Sequence, residues 1–121
     1  MVKRTIRGLE TPLTLTPNER EAVIEFVTIL RQRFGPRIKE IILFGSKVRG
    51  SNEKYSDIDI LIVLDSLSWE IKKTISQIAA QENIKHNVLI STVRYDADTW
   101  ENPVIKHSPF GRTVREEGIR L

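Results

Sequence analysis

Asp57-Ile58-Asp59 opens an apolar run that continues through Leu64, and Gly45-Ser46 closes an earlier one, Ile41-Ile42-Leu43-Phe44. Ten residues, Gly50 among them, separate Ser46 from Asp57. In a strand, Asp57 and Asp59 point to the same face with Cα atoms ~7 Å apart. Burying two carboxylates at a strand entry is costly unless something balances their charge. Hard oxygen ligands with open positions suit Mg²⁺ or Mn²⁺. Gly45-Ser46 offers the complementary chemistry: close backbone approach, N–H groups at the start of a short helix, and a hydroxyl. Lys47 and Arg49 lie near that turn, where they could neutralise phosphate charge. The combination points to a divalent cation carrying a phosphorylated ligand.

The elements that must hold these residues are legible around them. Thr16-Pro17-Asn18-Glu19 is a helix start with a capping box, and Ala22, Val23, Phe26, Val27, Leu30 and Phe34 recur at helical spacing. Gly35-Pro36 stops that helix. Strands are expected from Ile38 to Phe44 and from Asp57 to Leu64, with one helical turn and a loop through Tyr55 between them. Ile58, Ile60, Ile62 and Leu64 should face the core. A helix from Ser68 to Gln81 carries Ile71, Ile75, Ile78 and Ala79. Asn83 breaks the pattern, and a third strand follows over His86 to Ser91. Asp96 to Trp100 reads as a helical turn, Asn102-Pro103 and Ser108-Pro109 as starts of a helix to Glu117, and Gly118 as its left-handed terminator. Ile119 to Leu121 could add an edge strand. Residues 1–15 read as an irregular arm. The sum is an α/β (α+β) domain: a small mixed sheet of three to four strands with helices packed against it.

Length and composition narrow the classes. A chain of 121 residues, 40% hydrophobic, fits one compact domain over 1–121. No run of about 18 apolar residues predicts a membrane span, and no signal-like segment follows Met1. With no cysteine, disulfides and thiolate metal sites are excluded, and a cytoplasmic setting is expected. The net charge of +3 is spread over the chain, so a solvated mixed-charge surface is expected rather than direct nucleic-acid binding. A Walker A loop would need Lys and Ser/Thr after Gly50, where Ser51-Asn52 stand. A dinucleotide fingerprint and an EF-hand loop fail on glycine and ligand spacing.

The string LFGSKVRGSNEKYSDIDILIV, with Gly45-Ser46, ten residues and Asp57-Ile58-Asp59, resembles the minimal nucleotidyltransferases of the DNA polymerase β–like superfamily. The ending Glu117-Gly118-Ile119 is more loosely similar. The resemblance implies that fold, and transfer of a nucleoside monophosphate from a triphosphate to an acceptor hydroxyl. It implies that Gly45 and Ser46 hold phosphates and that Asp57 and Asp59 ligate two Mg²⁺ ions, ~4 Å apart in two-metal sites. Arg49 would contact the phosphates, or else pair with a nearby Glu. The third acid usual in strand three aligns with Asn87, an amide that can ligate Mg²⁺ weakly but cannot serve as a base. Asp65, Asp96 and Asp98 read as surface acids, and His86 as a polar residue entering the strand, with the role of base as its alternative. Stand-alone members resemble antitoxins paired with HEPN ribonuclease toxins. That implies a cognate HEPN partner, a homo- or hetero-oligomer, and transfer of AMP from ATP to a toxin tyrosine. The alternative is a weakened enzyme that neutralises its partner by binding alone.

Overall fold

The computed structural model describes residues 14–50 and 57–121. Most of the expected arm and the loop around Ser51-Asn52 and Tyr55 lie outside them. Thr16 begins the first helix as read: its hydroxyl accepts from Glu19 N–H at 3.1 Å while the Glu19 carboxylate accepts from Thr16 N–H at 2.9 Å. Helix α1 then spans Pro17–Phe34, and a 3₁₀ turn, Gly35–Arg37, delivers the chain into β1, Ile38–Phe44. Next come α2 (Ser46–Arg49), β2 (Ile58–Leu64), α3 (Trp69–His86) and β3 (Ile90–Asp96). Three short helices follow, α4 (Ala97–Glu101), α5 (Pro103–Lys106) and α6 (Pro109–Glu117), and the chain ends in β4, Ile119–Arg120.

The four strands form one mixed sheet in the order β3-β2-β1-β4. β1 runs antiparallel to both of its neighbours, and β2 pairs with β3 in parallel through the α3 crossover. Alternation along β2 divides its side chains cleanly. Ile58, Ile60, Ile62 and Leu64 join α1 and α3 in the larger core, as the sequence predicts. Leu61 and Val63 face the other way, into a second cluster with Ile42, Trp100 and Val114 beneath α4–α6. The sheet is therefore covered on both sides. Each fully buried isoleucine contributes roughly 1.5–3 kcal/mol by removal from water, so the strand carrying the acids is anchored from above and below.

Three expectations need correction. Asn83 does not end its helix: α3 continues to His86. The Asn83 side chain instead reaches β3, accepting from Ile90 N–H at 2.7 Å and donating to the Ile90 carbonyl at 3.3 Å. Its amide is spent on joining helix to strand, a use that sequence pattern does not distinguish from helix breaking. Asn87, expected in strand three, is the α3 C-cap, with φ 54° and its N–H bonded to the Asn83 carbonyl. Gly118 is extended, at φ −65° and ψ 150°, rather than left-handed. It is glycine for lack of space: a Cβ there would overlap Ile42 Cγ2 and the Val114 carbonyl.

Candidate active site

Gly45 makes the turn out of β1 at φ 82° and ψ −154°, a conformation that side chains disfavour. It caps α2, whose Val48 and Arg49 N–H groups bond the Gly45 carbonyl at 3.1 and 3.2 Å. The first turn leaves the Ser46 and Lys47 N–H groups without intrahelical acceptors. Gly50, left-handed at φ 76°, ends α2 after four residues. The turn thus follows the sequence closely: glycine at each end, a hydroxyl at the first helical position, and Arg49 in the last.

The register places the acids against this turn. Phe44 pairs with Asp59, so Gly45 lies beside the entry of β2. Asp57 and Asp59 are half-buried and on the face opposite Ile58 and Ile60. The Asp59 carboxyl is pushed above the usual carboxylate range by burial, then by the Asp57 charge, while Arg49 acts in the opposite sense. Two crowded carboxylates of this kind favour a cation, and their hard oxygens fit Mg²⁺.

Gly45, Arg49 and Asp59 open into a cleft of about 410 Å³ whose far wall is Phe44, Pro109, Phe110, Thr113, Val114 and Glu117. All of that wall but Phe44 is α6, which sequence reading did not assign to the site. It is held there by aromatic packing. Phe110 stands edge-on to Phe44 at 5.5 Å and to Trp100 at 6.4 Å. Trp100, 1% exposed, stacks on Tyr95, donates through Nε1 to Glu40 at 3.1 Å, and carries the Arg115 guanidinium over its ring at 4.2 Å. Tyr95, Trp100 and Phe110 thus pack together beneath the last helix. The helix itself was legible from Ser108-Pro109 to Glu117, but the only sequence signal linking it to the site was the loose similarity at Glu117-Gly118-Ile119.

Other candidates are placed elsewhere. Lys47 is buried and turned away from the cleft: its Nζ lies 2.9 Å from Glu19 Oε2, tying α2 to the start of α1. His86 is on α3 beside Glu25 and Glu82, on the opposite side of the sheet from Asp59. Asp65 pairs with Arg37 at 3.3 Å, and Asp96 caps α4 by accepting from Thr99 N–H at 2.7 Å. Asn87, in its left-handed cap, is outside the strand alternation that would have aligned it with the aspartates. The residue of β3 that pairs with Asp59 is Ser91. In a parallel pair such partners share a face, as the pair Leu61 and Val93 shows: Leu61 is in the second cluster and the partly buried Val93 packs against it.

Residues 23–117 match the family described as "Nucleotidyltransferase domain". "Putative protein adenylyltransferase MJ0604" of Methanocaldococcus jannaschii is 39% identical over 101 residues, covering 84% of this chain and 95% of that protein. "Putative protein adenylyltransferase MJ0141" of the same organism is 32% identical over 76 residues, covering 62% and 77% of the two chains. Among solved structures, a mutant form of the toxin–antitoxin MntA-HpeT superposes with TM-score 0.54 at 20% identity, over 80% of this chain and 69% of that one. A toxin–antitoxin crystallised with AMP-PNP gives TM-score 0.54 at 20% identity, over 79% and 69%. At that identity the structural likeness concerns the fold. The matched segment contains the whole of the Gly45 turn, the Asp57-Asp59 pair and the α6 wall, and the chain belongs to the nucleotidyltransferase domain family.

Proposed function

We propose that this chain is a protein adenylyltransferase of a toxin–antitoxin pair, transferring AMP from ATP to a tyrosine hydroxyl of a HEPN ribonuclease toxin. The observation that carries the reading is one cleft that joins Gly45, Arg49 and Asp59. The relatives named for protein adenylyltransfer and the toxin–antitoxin fold neighbours support it. In the reaction the acceptor oxygen bonds to the α-phosphorus of ATP. The bond from that phosphorus to the β-phosphate bridging oxygen breaks, and pyrophosphate leaves with that electron pair. The acceptor hydroxyl gives up its proton to solvent water.

The chain's own residues divide that work. Ser46, with the N–H groups of the first α2 turn, binds phosphate oxygens. Gly45 lets phosphate approach the backbone, and Arg49 neutralises its charge. Asp57 and Asp59 would hold Mg²⁺, which when bound supplies charge stabilisation for attacking and leaving oxygens. The α6 wall limits access on the side of Phe110 and Thr113, and Glu117 brings a further carboxylate to the cleft. With Ser91 rather than an acid opposite Asp59, β3 offers no carboxylate base there. Ser91 also favours the second reading, in which the chain neutralises its partner by binding with little or no transfer.

The two readings separate on one measurement. The chain is incubated with Mg²⁺ and ATP, with and without an all-helical toxin partner, and intact masses are recorded. Whole AMP units on the partner, absent with Asp57→Ala or Asp59→Ala, support transfer. A stable complex without added mass selects binding alone.

A further inference from the structure

On the side of the sheet away from the cleft, α1 and α3 bring together Glu25, Glu82 and His86, with one ligand atom of each lying within 4.8 Å of the others. His86 Nε2 is 3.2 Å from Glu25 Oε2 and 3.2 Å from Glu82 Oε2. Zn²⁺ bonded at about 2.0–2.1 Å in a tetrahedron needs ligand separations of about 3.3 Å. Two edges of the triangle are already at that spacing. The residues come from consecutive turns of α3 (Glu82 and His86, four apart) and from one position of α1, so the helices themselves set the triangle.

A second observation points the same way. Glu82 is 3% exposed, and its Oε2, 3.2 Å from His86 Nε2, makes no well-aligned hydrogen bond among the described residues. A buried carboxylate oxygen left unpartnered costs free energy, and such groups call for an explanation. The neighbouring Glu25 is organised as a ligand: Lys85 pairs with Oε1, leaving Oε2 directed at His86. Contact with Lys85 holds the Glu25 carboxyl below its ordinary range. Burial, followed by the charge of Glu25, holds Glu82 above its own. Two carboxylates thus crowd one imidazole where water is largely excluded. A cation between them would relieve that crowding, and the Lys85 contact would serve as the outer-shell bond that orients a ligating carboxylate.

We propose that Glu25, Glu82 and His86 form a Zn²⁺ site, with a fourth position open to water, that clamps α1 to α3 independently of the nucleotidyl-transfer cleft. One imidazole with two carboxylates suits Zn²⁺ or Co²⁺ better than Mg²⁺ or Ca²⁺, which prefer all-oxygen shells.

The test uses the untagged full-length chain after chelator treatment, titrated with Zn²⁺ by calorimetry and with Co²⁺ by visible absorption. The Asp57→Ala/Asp59→Ala double variant removes the cleft acids. One equivalent of Zn²⁺ should bind that variant as it binds the wild type, with the intense Co²⁺ bands of a four-coordinate site. Glu82→Gln, which keeps shape and relieves buried charge, and His86→Gln should each weaken Zn²⁺ at least tenfold while retaining the wild-type circular dichroism. Failure of the double variant to bind Zn²⁺ overturns the proposal. So does binding that Glu82→Gln and His86→Gln leave unchanged; the cluster would then be an ion-paired brace between two helices. Neither result depends on adenylyl transfer, so loss of the proposed activity would leave this site standing.

Discussion

Gly45 and Asp59 share one space: a Cβ on Gly45 would overlap Asp59 Oδ2, and the Gly45 backbone is already at φ 82°. Glycine is therefore required twice, once for the turn and once for the acid beside it. Gly45→Ala should cost about 1–3 kcal/mol through the backbone conformation, plus a contact penalty that Asp59 imposes. A double-mutant cycle by urea unfolding separates the two. We expect the cost of Gly45→Ala to fall in an Asp59→Ala background and the backbone part to remain. Equal costs in the two backgrounds would show that the carboxyl adds no strain.

The elevated Asp59 pKa sets a direction for stability against pH. Between its ordinary value of 3.8 and the raised one, the folded chain holds a proton that the unfolded chain has lost. Folding stability from this group therefore falls as pH rises through that window, and the deficit is complete above it. Without divalent cations, Asp59→Asn should melt above the wild type at neutral pH, with the gap closing below the ordinary carboxylate range. Adding Mg²⁺ should raise the melting temperature of the wild type and not of the variant. A variant that melts lower at neutral pH would contradict the burial account.

Ser91, not Asn87, is where a third acid would meet Asp59. Ser91→Asp should raise Mg²⁺ affinity and adenylyl transfer in the proposed reaction, while lowering metal-free stability by crowding a third carboxylate onto that face. Asn87→Asp should leave transfer unchanged, because its backbone belongs to the α3 cap. Transfer rates of the two variants at graded Mg²⁺ decide this; a gain from Asn87→Asp alone would return that residue to the site.

Trp100 holds the α6 side of the cleft through Tyr95, Phe110, Glu40 and Arg115. Trp100→Ala should destabilise the chain by about 3–5 kcal/mol, as expected for an indole removed from a core. Trp100→Phe retains most of the packing and loses the Nε1 bond to Glu40, so it should cost less, about 1–3 kcal/mol, chiefly from the unpaired acceptor. Denaturant melts of the two variants measure the difference. Equal losses would mean that ring volume alone holds the wall.

The sequence by itself determined the parts of this protein that local chemistry controls. The Thr16 box, the β1 bounds Ile38–Phe44, the two faces of β2 and the glycine-bounded α2 turn follow from capping, alternation and φ preference within a few residues. The edge strand at Ile119–Arg120 was legible for the same reason, a glycine before an apolar residue at the end of a helix. Tertiary structure decided what distant groups do with the same residues. Asn83 is a helix breaker by composition, but Ile90 takes up its amide and α3 runs on to His86. That shift moved Asn87 out of β3 and put Ser91 opposite Asp59. Lys47 sits in the phosphate turn by sequence, yet Glu19 from α1 claims its charge in a buried pair. The α6 wall and the Glu25–Glu82–His86 triangle join residues far apart along the chain. Periodicity reads the face of one element; which faces meet is fixed only when the elements pack.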